Sequence, residues 1–188
     1  MLILRDVLRW SAKEVAEALE TSAAAVNSAL QRAHAQLEQA HLTEDTVEAQ
    51  LTSEQTAMLD QYVAAFWHKD IDTIVRLLTR EAVWEMPPFT SWYKGAANIG
   101  ELIGNHCPGG AFAMPMLPTI ANGQPAFGLY MLQPDGSFVP FQLQVLELDG
   151  LQVRKVVAFF DLSLFETFGL PMRIEAGDLP PGFSTTSA

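Results

Sequence analysis

The sequence predicts two unlike units: an α-helical helix-turn-helix segment, then an α+β unit whose helices come before its strands. Three observations predict this. Between Ser11 and Leu37 apolar residues recur at three- and four-residue steps, the helical period. From Met114 onward the period becomes that of strands. Asn122-Gly123 and Asp149-Gly150 fall between apolar runs, where such dipeptides signal hairpins. Helices followed by a meander of antiparallel strands is the α+β order.

The first unit is read as two short helices on a tight joint. Val15, Ala16 and Leu19 share one face of the first helix, and Val26, Leu30, Ala33 and Leu37 form the inward stripe of the second. Ser22 suits the N-cap of the second helix, since its hydroxyl accepts an orphan backbone N–H. Small Ala16 stands where the two helices cross. In a helix-turn-helix the second helix enters the DNA major groove. Its outward positions here are Asn27, Ser28, Gln31 and Arg32, all able to reach base edges or phosphates. Met1 to Trp10 is read as helical, with Leu2, Val7 and Leu8 packing on the hairpin. The second helix is expected to run to about His41. Residues 1–42 form this unit, and the polar, acidic stretch 43–52 is read as a linker.

The second unit is expected over 53–171. Thr52 and Ser53 cap an amphipathic helix to Lys69, with Met58, Leu59, Tyr62, Val63, Phe66 and Trp67 inward. After Asp70-Ile71-Asp72 a short helix carries Ile74, Leu77 and Leu78. Ala82 to Met86 reads as a strand ended by Pro87-Pro88, and Ala97 to Asn105 as a third helix with Ile99, Leu102 and Ile103 inward. Strands are expected at Met114–Ala121, Ala126–Leu132, Phe138–Leu148 and Leu151–Asp161. Phe141, Leu143 and Val145 share one phase, and so do Val153, Val157 and Phe159. Pro171 to Ala188, rich in Pro, Gly, Ser and Thr, reads as a mobile tail over 172–188.

Composition bounds the function classes. The chain has 188 residues, 49% hydrophobic and 18% charged, the balance of a globular protein. Its single cysteine, Cys107, excludes an internal disulfide framework and fits a reducing cytosol. No apolar run is long enough to span a membrane and no signal peptide opens the chain, so the expected compartment is the cytoplasm. The net charge of −11 argues, taken whole, against nucleic acid. The charge is uneven, however: residues 1–42 carry four basic and five acidic side chains, and residues 43–188 carry seven and seventeen. The acidic part serves solubility, or repels DNA and masks basic surface elsewhere. His34, His41, His68 and His106 show no metal spacing with Cys107 or the acids, and neither metal nor cofactor is expected.

The stretch LRDVLRWSAKEVAEALETSAAAVNSALQRAHAQL resembles region 4 of the extracytoplasmic-function sigma factors. Leu4-Arg5-Asp6-Val7, Lys13 to Leu19, Ser22 and Val26 to Ala33 carry the resemblance. It implies binding of the −35 promoter element, with Arg32 and Lys13 on phosphates and Asn27, Ser28 and Gln31 on bases or backbone. It also implies RNA polymerase core as a partner through a longer factor. On that resemblance the chain is expected to lack the polymerase-gripping domain that precedes region 4, and weak promoter binding in isolation is expected. Asn27, Ala29 and His34 stand where the family commonly has Lys or Arg.

Residues 54–171 resemble the SnoaL-like members of the nuclear-transport-factor-two-like superfamily. TAMLDQYVAAFWHKDIDTIVRLLTREAVWEMPP, the step Trp92-Tyr93-Lys94-Gly95 and the closing VVAFFDLSLFETFGLP carry that resemblance. It implies a cone-shaped α+β domain: a curved antiparallel sheet, three helices and a pocket. Some sigma factors of the resembled class carry such a domain after region 4, where a regulatory role is the expectation. A homodimer through the sheet is a further expectation. The pocket residues expected are Trp84, Met86, Phe89, Trp92, Tyr93, Tyr130, Phe141 and Asp161, which would suit a small apolar ligand. Plain packing also accounts for each aromatic. Relatives that are cyclases or isomerases use an Asp or His as acid or base, and here Asp161 and His106 are the candidates. Asp161 also suits the cap of a helix beginning at Leu162, and His106 a helix C-terminus.

Overall fold

Two serines frame the first unit. In the computed structural model, which describes residues 2–39 and 51–183, α1 is Ala12–Ala18 and α2 is Ala23–Gln39. Ser11 Oγ accepts the Glu14 N–H, and the Glu14 carboxylate accepts the Ser11 N–H at 2.6 Å, a reciprocal capping box. Ser22 Oγ accepts the Ala25 N–H at 3.1 Å and caps α2 as expected. The turn between them is tight because Glu20 takes a left-handed conformation, φ 49°, which lets the Thr21 N–H reach back to the Ala16 carbonyl. Val15, Ala16 and Val26 are buried together, with Leu4 and Ala12 against them.

The segment before α1 departs from expectation. Ile3–Val7 forms a π-helical turn, and it packs through Leu4. Val7 is 70% exposed and Leu8 53%, so neither packs on the hairpin as the apolar pattern suggested. Leu19 is also exposed, because α1 ends at Ala18. Asp6 holds this segment to α2, its carboxylate 2.7 Å from His34 Nε2. His41 and most of the 43–52 linker lie outside the described residues.

The chain divides into compact units at Met1–Val47 and Glu48–Ala188. In the second, α3 (Ser53–His68) starts at Thr52 with another capping box, α4 is Ile71–Leu77 and α5 is Ala96–His106. The strands are β1 Leu78–Glu85, β2 Trp92–Lys94, β3 Met116–Ala121, β4 Gln124–Leu132, β5 Phe138–Asp149 and β6 Gln152–Phe159. They form one sheet in the order β2-β1-β6-β5-β4-β3.

That sheet is mixed, not wholly antiparallel as expected, since β1 runs parallel to β6. Hairpin dipeptides report only on neighbours in sequence, and β1 finds a partner from the far end of the chain. Leu78, read as the end of a helix stripe, begins β1. The step Trp92–Lys94 is itself a strand.

One face of the sheet carries the main core with α3 and α5, including Tyr62, Phe66, Trp84, Ile99, Ile103, Leu146 and Val156. The opposite face carries a second cluster with Trp67, Tyr130, Phe138, Leu143 and Phe165 (α6, Ser163–Thr167). Residues 172–183 are not the free tail expected from their composition. Ile174 is buried and exchanges two backbone hydrogen bonds with Phe138, and Phe183 packs edge-on against Trp67. Gly128 permits this cover, because a Cβ there would meet Leu170 and Phe165 at 2.7 and 2.8 Å. A homodimer through this face would have to displace the chain's own residues.

Arg173 ties the closing segment to the β4–β5 turn through Asp135 at 2.9 Å, and Ser137 N–H and Oγ also donate to that carboxylate. These bonds hold the Asp135 carboxyl well below its ordinary range. A depressed folded-state pKa gives stability that is fully present above the ordinary carboxylate value of about 4 and lost as pH falls through the lowered one. The urea midpoint is therefore expected to drop in acid, and Asp135→Asn to lower it at neutral pH while flattening the acid limb. A variant with an unchanged acid limb would contradict this.

Candidate functional site

Each unit offers one candidate surface. In the first, burial of Val26 on the inner side of α2 turns Asn27, Ser28, Gln31 and Arg32 outward, and all four are exposed. Lys13, in the first turn of α1, is exposed as well. The five side chains named from sequence are thus free to meet a ligand. His34 is spent on Asp6.

In the second unit the main core opens into a cavity of about 490 Å³. Phe66 of α3, Trp84 of β1 and Tyr93 of β2 line it. So do Met86, Phe89 and Ser91 from the β1–β2 connection, and Leu102, Ile103 and His106 from α5. Cys107 and Pro108 follow α5, and Phe141, Gln142 and Phe160 complete the wall. Three phenyl rings run along one side: Phe141 and Phe160 meet edge to face at 5.5 Å, and Phe160 meets Phe89 likewise at 5.5 Å. Phe89 is 60% exposed, which sets it toward solvent.

Six expected residues therefore gather here: Trp84, Met86, Phe89, Tyr93, His106 and Phe141. Three do not. Trp92 is 60% exposed and belongs to a separate shallow depression beside Pro87 and Pro88. Tyr130 is buried in the second cluster, where its hydroxyl donates to the Pro171 carbonyl at 2.9 Å. Asp161 is exposed and accepts from the Ser163 N–H at 3.0 Å and the Ser163 hydroxyl at 2.7 Å, bonds that hold its carboxyl below the usual range. It steadies the first turn of α6, as its capping alternative foresaw, and supplies no base to the cavity.

The error about Asp161 is one of strand phase. Val157 and Phe159, which share its phase, face away from the cavity; Val156 and Ala158 face the main core, and Phe160 follows in their phase. A bulge produces the opposite surprise at Phe141. Leu129 pairs with Gln142 and Tyr130 with Pro140, so Phe141 is the extra residue and turns into the cavity while Leu143 packs on the other face. Gln142 and Gln144, buried on β5, were legible as polar residues within an apolar strand but were not singled out. Gln144 Oε1 accepts from the buried Tyr62 hydroxyl at 2.8 Å.

Among the described residues the wall carries no carboxylate, lysine or arginine; its titratable groups are Tyr93, His106 and Cys107. Burial raises the Cys107 thiol, with Lys69 pulling it back less. Lys69 Nζ donates to the Cys107 carbonyl at 2.9 Å. No group of three or more His, Cys, Asp or Glu side chains gathers as a metal site among the described residues.

Comparison with known proteins supplies the family. Residues 1–37 match "Sigma-70, region 4". The first unit is thus similar in sequence to a sigma-70 region 4. The chain is also similar to "ECF RNA polymerase sigma factor SigG" of Mycobacterium tuberculosis, from strains CDC 1551 / Oshkosh and ATCC 25618 / H37Rv. Each is 48% identical over 175 residues, 91% of this chain and 46% of that protein, so the chain spans just under half the length of these relatives. Over that span the chain is similar to an extracytoplasmic-function sigma factor.

Solved structures similar to the second unit include an "NTF-2 like protein of unknown function" from Burkholderia xenovorans LB400, with TM-score 0.49 and 15% identity over 57% of this chain and 82% of that one. An "LEH-like epoxide hydrolase" of M. tuberculosis gives TM-score 0.46 and 18% identity over 62% and 90%. No activity follows from likeness of this degree.

Cys107 is the only cysteine, so its alkylation reads the cavity wall directly. At neutral pH iodoacetamide is expected to modify it more slowly than free cysteine, with the rate still rising above the ordinary thiol pKa of about 8.5. A rate equal to that of free cysteine would contradict the burial described.

Proposed function

We propose that region 4 of this chain binds the −35 promoter element in transcription initiation, and that the SnoaL-like domain regulates it. RNA polymerase core is the protein partner, met through the complete factor, and the cytoplasm is the compartment. Among the described residues no helix is long and apolar enough to cross a membrane, in keeping with that.

One observation carries the reading. The segment matching region 4 folds with Val26 inward and presents Asn27, Ser28, Gln31 and Arg32 together on α2, the helix that a helix-turn-helix places in the major groove. Arg32 and Lys13 hold phosphates. Asn27, Ser28 and Gln31 reach bases or steady the backbone contacts. So few cations give a small electrostatic term, since each phosphate neutralised adds about 0.9 to the salt slope. An attached acidic domain weakens attraction further. Low affinity in isolation is the consequence.

Replacing Arg32 by Ala in the complete factor is expected to weaken binding to every promoter sequence alike and to reduce the slope of log K against log salt by about one. Fluorescence anisotropy at several salt concentrations measures both. Unchanged affinity and slope would remove Arg32 from the phosphate contacts.

A further inference from the structure

The exposed stripe of α2 does not end at Gln31. Asn27, Gln31 and His34 stand four and three residues apart and are all exposed, so they lie along one line of the helix. Asp6, in the Ile3–Val7 turn, holds the last of them, its Oδ2 2.7 Å from His34 Nε2. Both side chains are about half exposed. The turn that carries Asp6 is itself fixed. Leu4 packs into the hairpin core, the Leu8 and Trp10 N–H groups donate to the Ile3 and Leu4 carbonyls at 2.9 Å, and the Arg5 guanidinium donates to the Trp10 carbonyl. An ionised carboxylate only accepts hydrogen bonds, so Nε2 carries the hydrogen and the tautomer of His34 is set. Its other ring nitrogen, Nδ1, has no hydrogen-bond partner among the described residues. Of the other charged groups on the elements around it, Arg5 is engaged with Trp10 and Glu14 with Ser11, while Lys13, Glu17 and Arg32 make no ion pair among the described residues.

We propose that His34 is a proton-linked contact to the DNA backbone, oriented by Asp6; the inference rests on the reading of α2 as the helix that meets promoter DNA. Neutral His34 presents a lone pair on Nδ1 and leaves the Asp6 charge uncompensated, and both repel a phosphate. Protonated His34 keeps its Nε2 bond to Asp6, cancels that charge and gains an N–H at Nδ1, a charged donor for a phosphate oxygen. A phosphate beside the ring favours the charged form. The DNA-bound state therefore holds more protons than the free one, and binding tightens as pH falls through the range of about 5–8 in which histidine changes charge. In acid His34 joins Arg32 and Lys13 as a third cation of this face. Asp6 acts through the ring, as a positioning residue.

Phosphate contacts do not depend on sequence, so a rhodamine-labelled DNA duplex of mixed sequence serves as the probe. Its anisotropy is titrated with the full chain at several salt concentrations, at about pH 8 and at about pH 5.5, either side of the histidine range. The native chain is expected to bind about tenfold tighter in acid, the worth of one charge-assisted hydrogen bond at an exposed site. Its slope of log K against log salt should steepen by about 0.9, one more phosphate neutralised. His34→Gln should show neither change. His34→Arg, charged throughout, should bind alike at both pH values. Arg32→Ala should lower the slope at both and keep the acid step. A Gln variant that keeps the acid step and the steeper slope, or a native chain whose salt-dependent binding ignores pH, overturns the inference and leaves the α2 reading standing. An absence of salt-dependent binding at either pH removes that reading, and this inference with it.

Discussion

Helix α3 contributes to both apolar clusters of the second unit, and the cavity exists because of how it divides its side chains between them. Tyr62 and Phe66 enter the main core on one face of the sheet, while the neighbouring Trp67 enters the second cluster. Truncating a buried aromatic of this size costs about 3–5 kcal/mol, a large part of the 5–15 kcal/mol that holds a domain together. The end of the helix matters as much. Lys69 takes a left-handed conformation, φ 56°, and its amine reaches the Cys107 carbonyl at the end of α5. The Trp67 carbonyl accepts the Phe112 N–H at 2.7 Å. The C-terminus of α3 thus fixes the chain that leaves α5, and with it Cys107 and Pro108 of the cavity wall.

The two units differ in how they handle charge. The first unit keeps few cations on an exposed polar face, while residues 43–188 carry most of the net negative charge and the cavity wall, among the described residues, holds no carboxylate. An acidic exterior repels DNA, and a cavity lined without charged side chains among the described residues offers no counter-ion to an ionised ligand. It does not suit acid–base catalysis of the kind first weighed for Asp161, because that carboxylate is at the surface and already engaged with Ser163.

Much of this was legible in the sequence, for identifiable reasons. The helices of both units announce themselves by period, and Ser22 and Thr52 by their chemistry as caps. Hairpins with Asn-Gly and Asp-Gly turns gave β3–β4 and β5–β6. The parallel pairing of β1 with β6 was not legible, since no local signal encodes a partner at the other end of the domain. The phase of β6 was not legible either, because both faces of the sheet are covered and its apolar residues do not alternate with polar ones. That one-residue ambiguity put Asp161 in the pocket and left Phe160 out. The bulge at Phe141 and the packing of Ile174 and Phe183 depend on tertiary contacts that composition does not report.

The proposed function assigns promoter DNA to α2 and no DNA contact to the second unit. Hydrogen–deuterium exchange of this chain on a promoter duplex at low salt, where weak phosphate contacts are strengthened, tests it most directly. Slowed exchange concentrated in α2 and the first turn of α1, with the strands around the cavity unaffected, is the predicted result. Protection centred on the sheet of the SnoaL-like domain, with α2 exchanging as freely as without DNA, would contradict it.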